Sequence, residues 1–266
     1  MAHAKTPRFT ERTMAYTVDR TGAYEGDLCL PTAGAGAQGF PVVVLVHGGS
    51  WRTGSKHEMK RIAQQLAERG YASFAINYDK HRHSFPQSWI ETREAVRFVR
   101  LRSIMYHLDP DRVAVLGSSA GAEIVALTAL EPTGPADPPM RITHDDVPVQ
   151  AAVVLNGGYD LHPKAWLLKR YMGGDCEHIG KVCDDASPDN HVGDHEVPFF
   201  VGHGDSDHQI PYSQATTFIE LMQKNGNQVT TFVARGGGHN YWKKSRYRAA
   251  NFEALVVFLD TNLKAR

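Results

Sequence analysis

Val113–Glu123 read VAVLGSSAGAE, an apolar run that ends in two adjacent serines between glycines. The frame Gly-x-Ser-x-Gly, filled by Gly117, Ser118, Ser119, Ala120 and Gly121, makes Ser119 the candidate nucleophile and Ser118 its variable neighbour. The spacing has a steric reason. A chain that leaves a strand and at once enters a helix bends sharply at the serine, and small flanking residues avoid clashes there. The hydroxyl then projects above a helix N-terminus, whose free N–H groups favour developing negative charge. A serine hydroxyl is a weak nucleophile unaided, so a base, an acid that orients the base and an oxyanion site must come from elsewhere.

The segment RGGGHNYW supplies His239 as candidate base, in a glycine-rich loop between the last strand and the closing helix. The segment VPFFVGHGDSDHQIP supplies two candidate acids, Asp205 and Asp207. Asp207 is preferred because it lies further out along the loop toward His239. The chain order Ser, Asp, His is the one this strand arrangement expects. Oxyanion donors are expected from HGGSWRTG, His47–Gly54, directly after the apolar run PVVVLV. Glycines there let main-chain N–H groups approach a carbonyl oxygen closely, so Gly49, Ser50 and Ala120 are the candidate donors. His47 is expected to tether this loop rather than to move protons. Trp51, Tyr241 and Trp242 are candidate substrate-binding residues, with Trp89, Tyr159 and Trp166 as further candidates; each competes with a role in core packing.

These residues need a scaffold that brings several loops to one edge. Strand-like runs (PVVVLV, YASFAINY, RVAVLG, VQAAVVLNG, VPFFVGHG, VTTFVA) alternate with helix-period segments such as HEMKRIAQQLAERG and AGAEIVALTAL. That alternation predicts an α/β fold with a mostly parallel sheet of about eight strands and helices on both faces. Two early strands, MAYTV and DLCL, have no helix between them and predict an antiparallel edge. A long helix is expected over about Trp89–Tyr106, and another over Tyr212–Lys224. The whole chain, 1–266, reads as one domain. Two excursions break the rhythm: the proline-rich 131–148, and 160–197, which reads as a short apolar piece within loop. Both are placed to wall a pocket at the strand ends.

Composition narrows the function classes. Lys plus Arg equals Asp plus Glu, 29 each, so no bulk field attracts nucleic acid or an anionic membrane. No apolar stretch approaches the roughly 20 residues of a membrane span, and the N-terminus lacks a signal-peptide core, so a cytoplasmic location is the expectation. Fourteen histidines include HRH at 81–83 and HGDSDH at 203–208, yet HExxH and Cys-x-x-Cys are absent and no metal or other cofactor is expected. The first parallel turn, HGGSWRTG, is not GxGxxG, which argues against a dinucleotide site. Cys29 is expected to be a buried free thiol. A Cys176–Cys183 bridge is sterically open, but the odd cysteine total and the missing export signal weigh against it.

Taken together, HGGSW, GSSAG and HGDSDHQIP resemble the motifs of the α/β-hydrolase fold in its carboxylesterase/lipase branch. LDPDRVAVLGSSAG is similar to hormone-sensitive-lipase-like and feruloyl- or acetyl-esterase-like members. The resemblance covers nearly the whole chain and implies a serine hydrolase of carboxylic esters, with its acid at Asp207, agreeing with the preference from position. Kynurenine formamidases share the HGG-aromatic loop and the elbow, and a formamide is therefore the alternative substrate. A hydrolase-fold protein that binds without turnover is a third reading, disfavoured because Ser119, Asp207 and His239 are all present. The chain departs from the pattern at Ala122 and Glu123, where many relatives have a second glycine; tighter packing of the helix on the sheet is the expected consequence. No apolar lid helix is evident, which predicts small or medium ester substrates rather than emulsified fat.

Overall fold

Strand β3 (Phe40–Val46) is apolar at every position because both of its faces are covered. Val42, Val44 and Val46 point into one core cluster, whereas Val43 and Leu45 point into the other. Strand β5 (Leu108–Ser118) divides in the same way, with Val113 and Val115 on the first side and Ala114 and Leu116 on the second. In the computed structural model the described residues are 8–19, 22–81, 84–131, 148–194 and 196–264. Most of the 131–148 excursion, 132–147, therefore lies outside the described residues, as do two members of the HRH cluster at 82–83.

The remaining elements follow in chain order around these two strands. β1 (Phe9–Asp19) and β2 (Gly22–Pro31) precede β3, and α1 (Lys60–Ala67) and β4 (Ala72–Ile76) follow it. Next come α2 (Gln87–Leu101), α3 (Ser103–Tyr106), β5, α4 (Ala120–Leu130) and β6 (Ala151–Leu155). The chain continues through α5 (Ala165–Met172), α6 (Gly180–Asp185), β7 (Phe199–Gly204), α7 (Tyr212–Lys224), β8 (Val229–Ala234) and α8 (Ser245–Leu259). The sheet order is β1-β2-β4-β3-β5-β6-β7-β8. β1 and β2 pair antiparallel with each other, and β2 pairs antiparallel with β4, as expected for the early edge. Every pairing from β4 through β8 is parallel.

Helices α2, α4 and α7 cover one face, where Val96, Ile124 and Phe218 enter the first cluster. Helices α1 and α8 cover the other with Ile62, Leu66, Phe252 and Leu255. All eleven residues of α4 are buried, so this helix has no wet side. The expected helix to Tyr106 is interrupted: α2 ends at Leu101, Arg102 leaves helical geometry (φ −100°, ψ 7°), and α3 is a separate short turn.

The 160–197 excursion holds more structure than loop, with α5, α6 and two 3-10 turns. Cys176 and Cys183 are bonded, with their Cα atoms 5.7 Å apart. That corrects the weight given to cysteine count and export signal. The turn into α6 brings the two residues together, and Cys183 is sealed in the first core cluster. Cys29 is a buried free thiol as expected, and burial pushes its pKa up to about 12.

Candidate active site

The sheet reverses its direction of growth between β3 and β5. β3 is followed spatially by β4 on one side, and β5 leads to β6, β7 and β8 on the other. Such a switch point opens a crevice beyond the C-terminal strand ends, because the loops there diverge. Val46 of β3 pairs with Gly117 of β5, so the HGG loop and the serine turn leave adjacent strands at one level.

Ser119 is held at φ 54°, ψ −122°, immediately before α4. That left-handed conformation is strained for a residue with a side chain, and tight packing holds it there. A Cβ on Gly117 would collide with the Gly121 carbonyl, and one on Gly121 would collide with the carbonyls of Val46 and His47. A Cβ on Gly48 would lie 2.9 Å from the Ser118 carbonyl, so the HGG loop rests directly on the serine turn. The Ser119 N–H donates to the Leu155 carbonyl at 2.8 Å, tying the bend to β6. Ser118 is buried beside it.

His239 bridges the two remaining candidates. Its Nε2 lies 2.8 Å from Ser119 Oγ and its Nδ1 lies 2.7 Å from Asp207 Oδ2. A carboxylate accepts from Nδ1–H, which leaves the Nε2 lone pair to receive the serine proton. Asp207 Oδ1 accepts the N–H groups of Gln209 (2.8 Å) and Ile210 (3.0 Å), and Oδ2 also accepts Asn156 Nδ2 at 2.8 Å. Burial raises the pKa of Asp207, but hydrogen bonds from His203, His239 and the Ile210 N–H outweigh it and hold the carboxyl far below the usual range. Asp205 is instead turned to the surface, accepting the Gly236 N–H at 2.6 Å.

Two residues in this cluster carry little signal in the sequence. Asn156 is fully buried at the end of β6, in a left-handed conformation (φ 53°) that asparagine tolerates. His203 Nε2 donates to the Ile210 carbonyl at 3.0 Å and stands 3.4 Å from Asp207 Oδ2. An asparagine closing an apolar strand run, and a histidine inside one, were the available clues.

Gly49, Ser50 and Trp51 are successive left-handed residues, with φ of 121°, 53° and 53°. The Gly49 carbonyl accepts the N–H groups of Arg52 and Thr53, both at 3.0 Å, which closes the loop on itself. Among the described residues, the N–H groups of Gly49, Ser50 and Ala120 donate to no backbone carbonyl. Ser50 shares the cavity wall with Ser119 and His239. His47 Nδ1–H donates to the Gly48 carbonyl and its ring stacks on Tyr78 at 4.4 Å. Burial lowers its pKa to about 4, so it is a neutral tether at neutral pH.

The cavity above Ser119 is about 490 Å³. Trp51, Leu161, Leu168 and Ile210 give it apolar walls, and Asp160, Pro163 and Gln214 also line it; Asp160, Leu161, Pro163 and Leu168 belong to the 160–197 excursion. Among the described side chains, Trp51 is the one aromatic candidate in this wall. Tyr241 and Trp242 are placed elsewhere. Tyr241 is buried on the far side of β8, stacked on Phe232 and donating to Asn251 Oδ1 at 2.8 Å. Trp242 lines a separate groove with Arg61 and Phe252. A loop that returns toward α8 straight after His239 turns both side chains into the core. Tyr159 is buried against Phe218, and Trp89 is buried against Phe85. The side chain of Trp166 lies outside the described part. Among the described residues no group of three or more His, Cys, Asp or Glu side chains is placed to hold a metal ion.

Glu123 is fully buried in the first turn of α4. Its Oε2 accepts Trp51 Nε1–H at 2.8 Å, and Tyr171 Oη stands 3.3 and 3.4 Å from its two oxygens. Burial raises its pKa to about 8, with the Trp51 and Tyr171 hydrogen bonds opposing. The departure at this position thus reaches across to the HGG loop rather than only packing α4 on the sheet.

Residues 27–222 match a protein-family model described as BD-FAE. The probable carboxylic ester hydrolase LipM of Mycobacterium tuberculosis is 33% identical over 205 residues, which are 73% of this chain and 47% of LipM. The esterase LipQ of the same organism is 30% identical over 211 residues, 75% of this chain and 50% of LipQ. Isoprenylcysteine alpha-carbonyl methylesterase ICME of Arabidopsis thaliana is 28% identical over 236 residues, 80% of this chain and 53% of that protein. The chain spans about half the length of the curated relatives it matches. Among solved structures, a thermophilic esterase from Thermogutta terrifontis superposes with a TM-score of 0.81 at 20% identity, covering 94% of this chain and 91% of that one. The match to the family model runs from β2 into α7 and takes in the HGG loop, the serine turn and the Asp207 loop; the chain belongs to the BD-FAE family of α/β-hydrolases.

Proposed function

We propose that this chain is a serine carboxylesterase that cleaves small to medium carboxylic esters through an acyl-enzyme intermediate. The observation that carries the proposal is His239, 2.8 Å from Ser119 Oγ and 2.7 Å from Asp207 Oδ2, at the foot of a cavity of about 490 Å³. Its named relatives LipM and LipQ are described as ester hydrolases, which supports the same reaction class.

In this reading Nε2 of His239 takes the Ser119 proton as Oγ attacks the ester carbonyl. Asp207 keeps the imidazole in the required tautomer and stabilises the imidazolium. The Gly49, Ser50 and Ala120 N–H groups receive the oxyanion, and α4 directs its N-terminus at the same point. His239 then protonates the departing alcohol, and water repeats the sequence on the acyl-enzyme. The cavity sits at the small end of the roughly 300–1,000 Å³ typical of ligand pockets, which suits short and medium acyl groups.

The test compares p-nitrophenyl esters of increasing chain length with a feruloyl ester and N-formylkynurenine. Ester turnover that falls off with long chains is expected; faster hydrolysis of the formamide would shift the assignment to an amidohydrolase. Ser119→Ala should abolish turnover and labelling by a fluorophosphonate, while Ser118→Ala should retain both. Loss in Ser118→Ala alone would reassign the nucleophile. Among the described residues no helix is long and apolar enough to cross a membrane. The Cys176–Cys183 bond favours an oxidising compartment over the cytoplasmic one expected from composition.

A further inference from the structure

A carboxyl group sealed in the protein interior is costly unless something compensates for its lost hydration. Glu123 has no cation among its hydrogen-bonding partners, which are the Trp51 indole and the Tyr171 hydroxyl. An apolar residue of similar volume would fill this place in α4 at lower cost. The partners show what the carboxyl does. Trp51 follows directly on Gly49 and Ser50, and all three are left-handed, so the loop needs an external hold to keep its shape. Glu123 supplies that hold at Trp51 Nε1, and the Trp51 ring is clamped from the other side by stacking on Tyr171 at 4.8 Å and 20°. Tyr171 belongs to α5, in the excursion that walls the cavity, and its hydroxyl is also 3.3 Å from Ser88 Oγ of α2. Three elements thus meet at one buried carboxyl four residues after Ser119, and α2 joins them through Tyr171.

We infer that Glu123 is a positioning residue, which holds the Gly49–Ser50 donors at the oxyanion position by latching Trp51 to the same helix that begins at the nucleophile. The inference rests on the esterase reading above. The nucleophile and the N–H donors that face it are referenced to one rigid body, α4. Loss of the latch leaves Ser119, His239 and Asp207 in place and loosens only the donors.

Transition-state stabilisation should suffer more than substrate binding. Glu123→Ala is expected to lower kcat by about 10- to 100-fold, less than the ~10²–10³ for deleting an oxyanion donor outright, because the loop still samples its productive shape. KM should move by no more than about threefold. Glu123→Gln keeps an acceptor for the indole and a donor for Tyr171, and should stay within about threefold of the parent kcat. Trp51→Phe removes the indole N–H and keeps a ring, so it tests the same link from the other end should Glu123→Ala fail to fold. Its kcat should fall like that of Glu123→Ala, and the double variant should be no worse than the poorer single one.

Hydrogen exchange of the Trp51 indole N–H, assigned by its absence in Trp51→Phe, reads the latch without any substrate. It should be slow in the parent protein and in Glu123→Gln, and fast in Glu123→Ala. A parent-like kcat in Glu123→Ala, an equal loss in Glu123→Gln, or losses that multiply in the double variant would each overturn the inference. Retained activity in Ser119→Ala would instead remove the esterase reading, with the exchange measurement still reporting on the latch.

Discussion

At the scale of single residues, Asp207 is the most constrained group of the site. It gathers Asn156 Nδ2, His239 Nδ1 and the N–H groups of Gln209 and Ile210, so its charge is fully accepted inside the protein. Its folded pKa is depressed, so the stability it contributes is present above the ordinary carboxylate range and is lost as pH falls below it. Asp207→Asn should lower kcat by about 10⁴-fold and slow fluorophosphonate labelling of Ser119 to a similar extent in a folded protein, because the amide holds the wrong imidazole tautomer. Asn156→Ala removes a hydrogen bond to a charged group and should cost about 1.5–3 kcal/mol in urea unfolding. Asp207 was legible from its offset after an apolar run. Asn156 was not, because a polar residue at a strand end takes meaning only from the loop that arrives above it.

At the scale of elements, the turn from β5 into α4 is set by backbone contact rather than by side-chain chemistry. Gly117 and Gly121 each face a carbonyl where a methyl would stand. Gly121→Ala should therefore be destabilising by at least the ~1–3 kcal/mol of an overpacked core, read as a lower urea midpoint with the slope unchanged. The apolar runs of β3 and β5 and the small-residue composition of α4 made these elements visible in the sequence. The excursion was harder to read. Its helices α5 and α6 are short, and a bond between Cys176 and Cys183, seven positions apart, ties the turn between them to α6. Cys176→Ser should cost about 2 kcal/mol for so small a loop, and should raise KM more than it lowers kcat, since Leu161 and Leu168 wall the cavity and the proposed catalytic residues Ser119, Asp207 and His239 lie on other loops.

At the scale of the whole molecule, two buried groups of opposite sign set a window of stability. The folded pKa of His47 is lowered from 6.5 to about 4, so stability is lost as pH falls from about 6.5 toward 4. The folded pKa of Glu123 is raised from 4.5 to about 8, so stability is full below 4.5 and is lost as pH rises through about 8. The two slopes oppose each other between about 4.5 and 6.5, and urea unfolding across pH should show its maximum there. Burial also raises the pKa of Asp189 to about 7, so Glu123→Gln should make the alkaline limb shallower without abolishing it and leave the acid limb unchanged; an unchanged alkaline limb would exclude Glu123 as a source of it.

The amino-acid sequence by itself determined the parallel sheet and the antiparallel edge, and it singled out Ser119, Asp207 and His239, whose side chains lie within hydrogen-bonding distance in series. Each of these rests on a local rule: β-branched runs buried on two faces, glycines that a sharp bend requires, and fixed offsets from strand ends. Only the tertiary structure decided which aromatic residues meet the cavity, that Asn156 and His203 serve Asp207, and that Glu123 holds Trp51 across 72 positions of chain. Those outcomes depend on which loops diverge at the crevice between β3 and β5, and on what burial does to a charge. Neither is a property of any short stretch of residues.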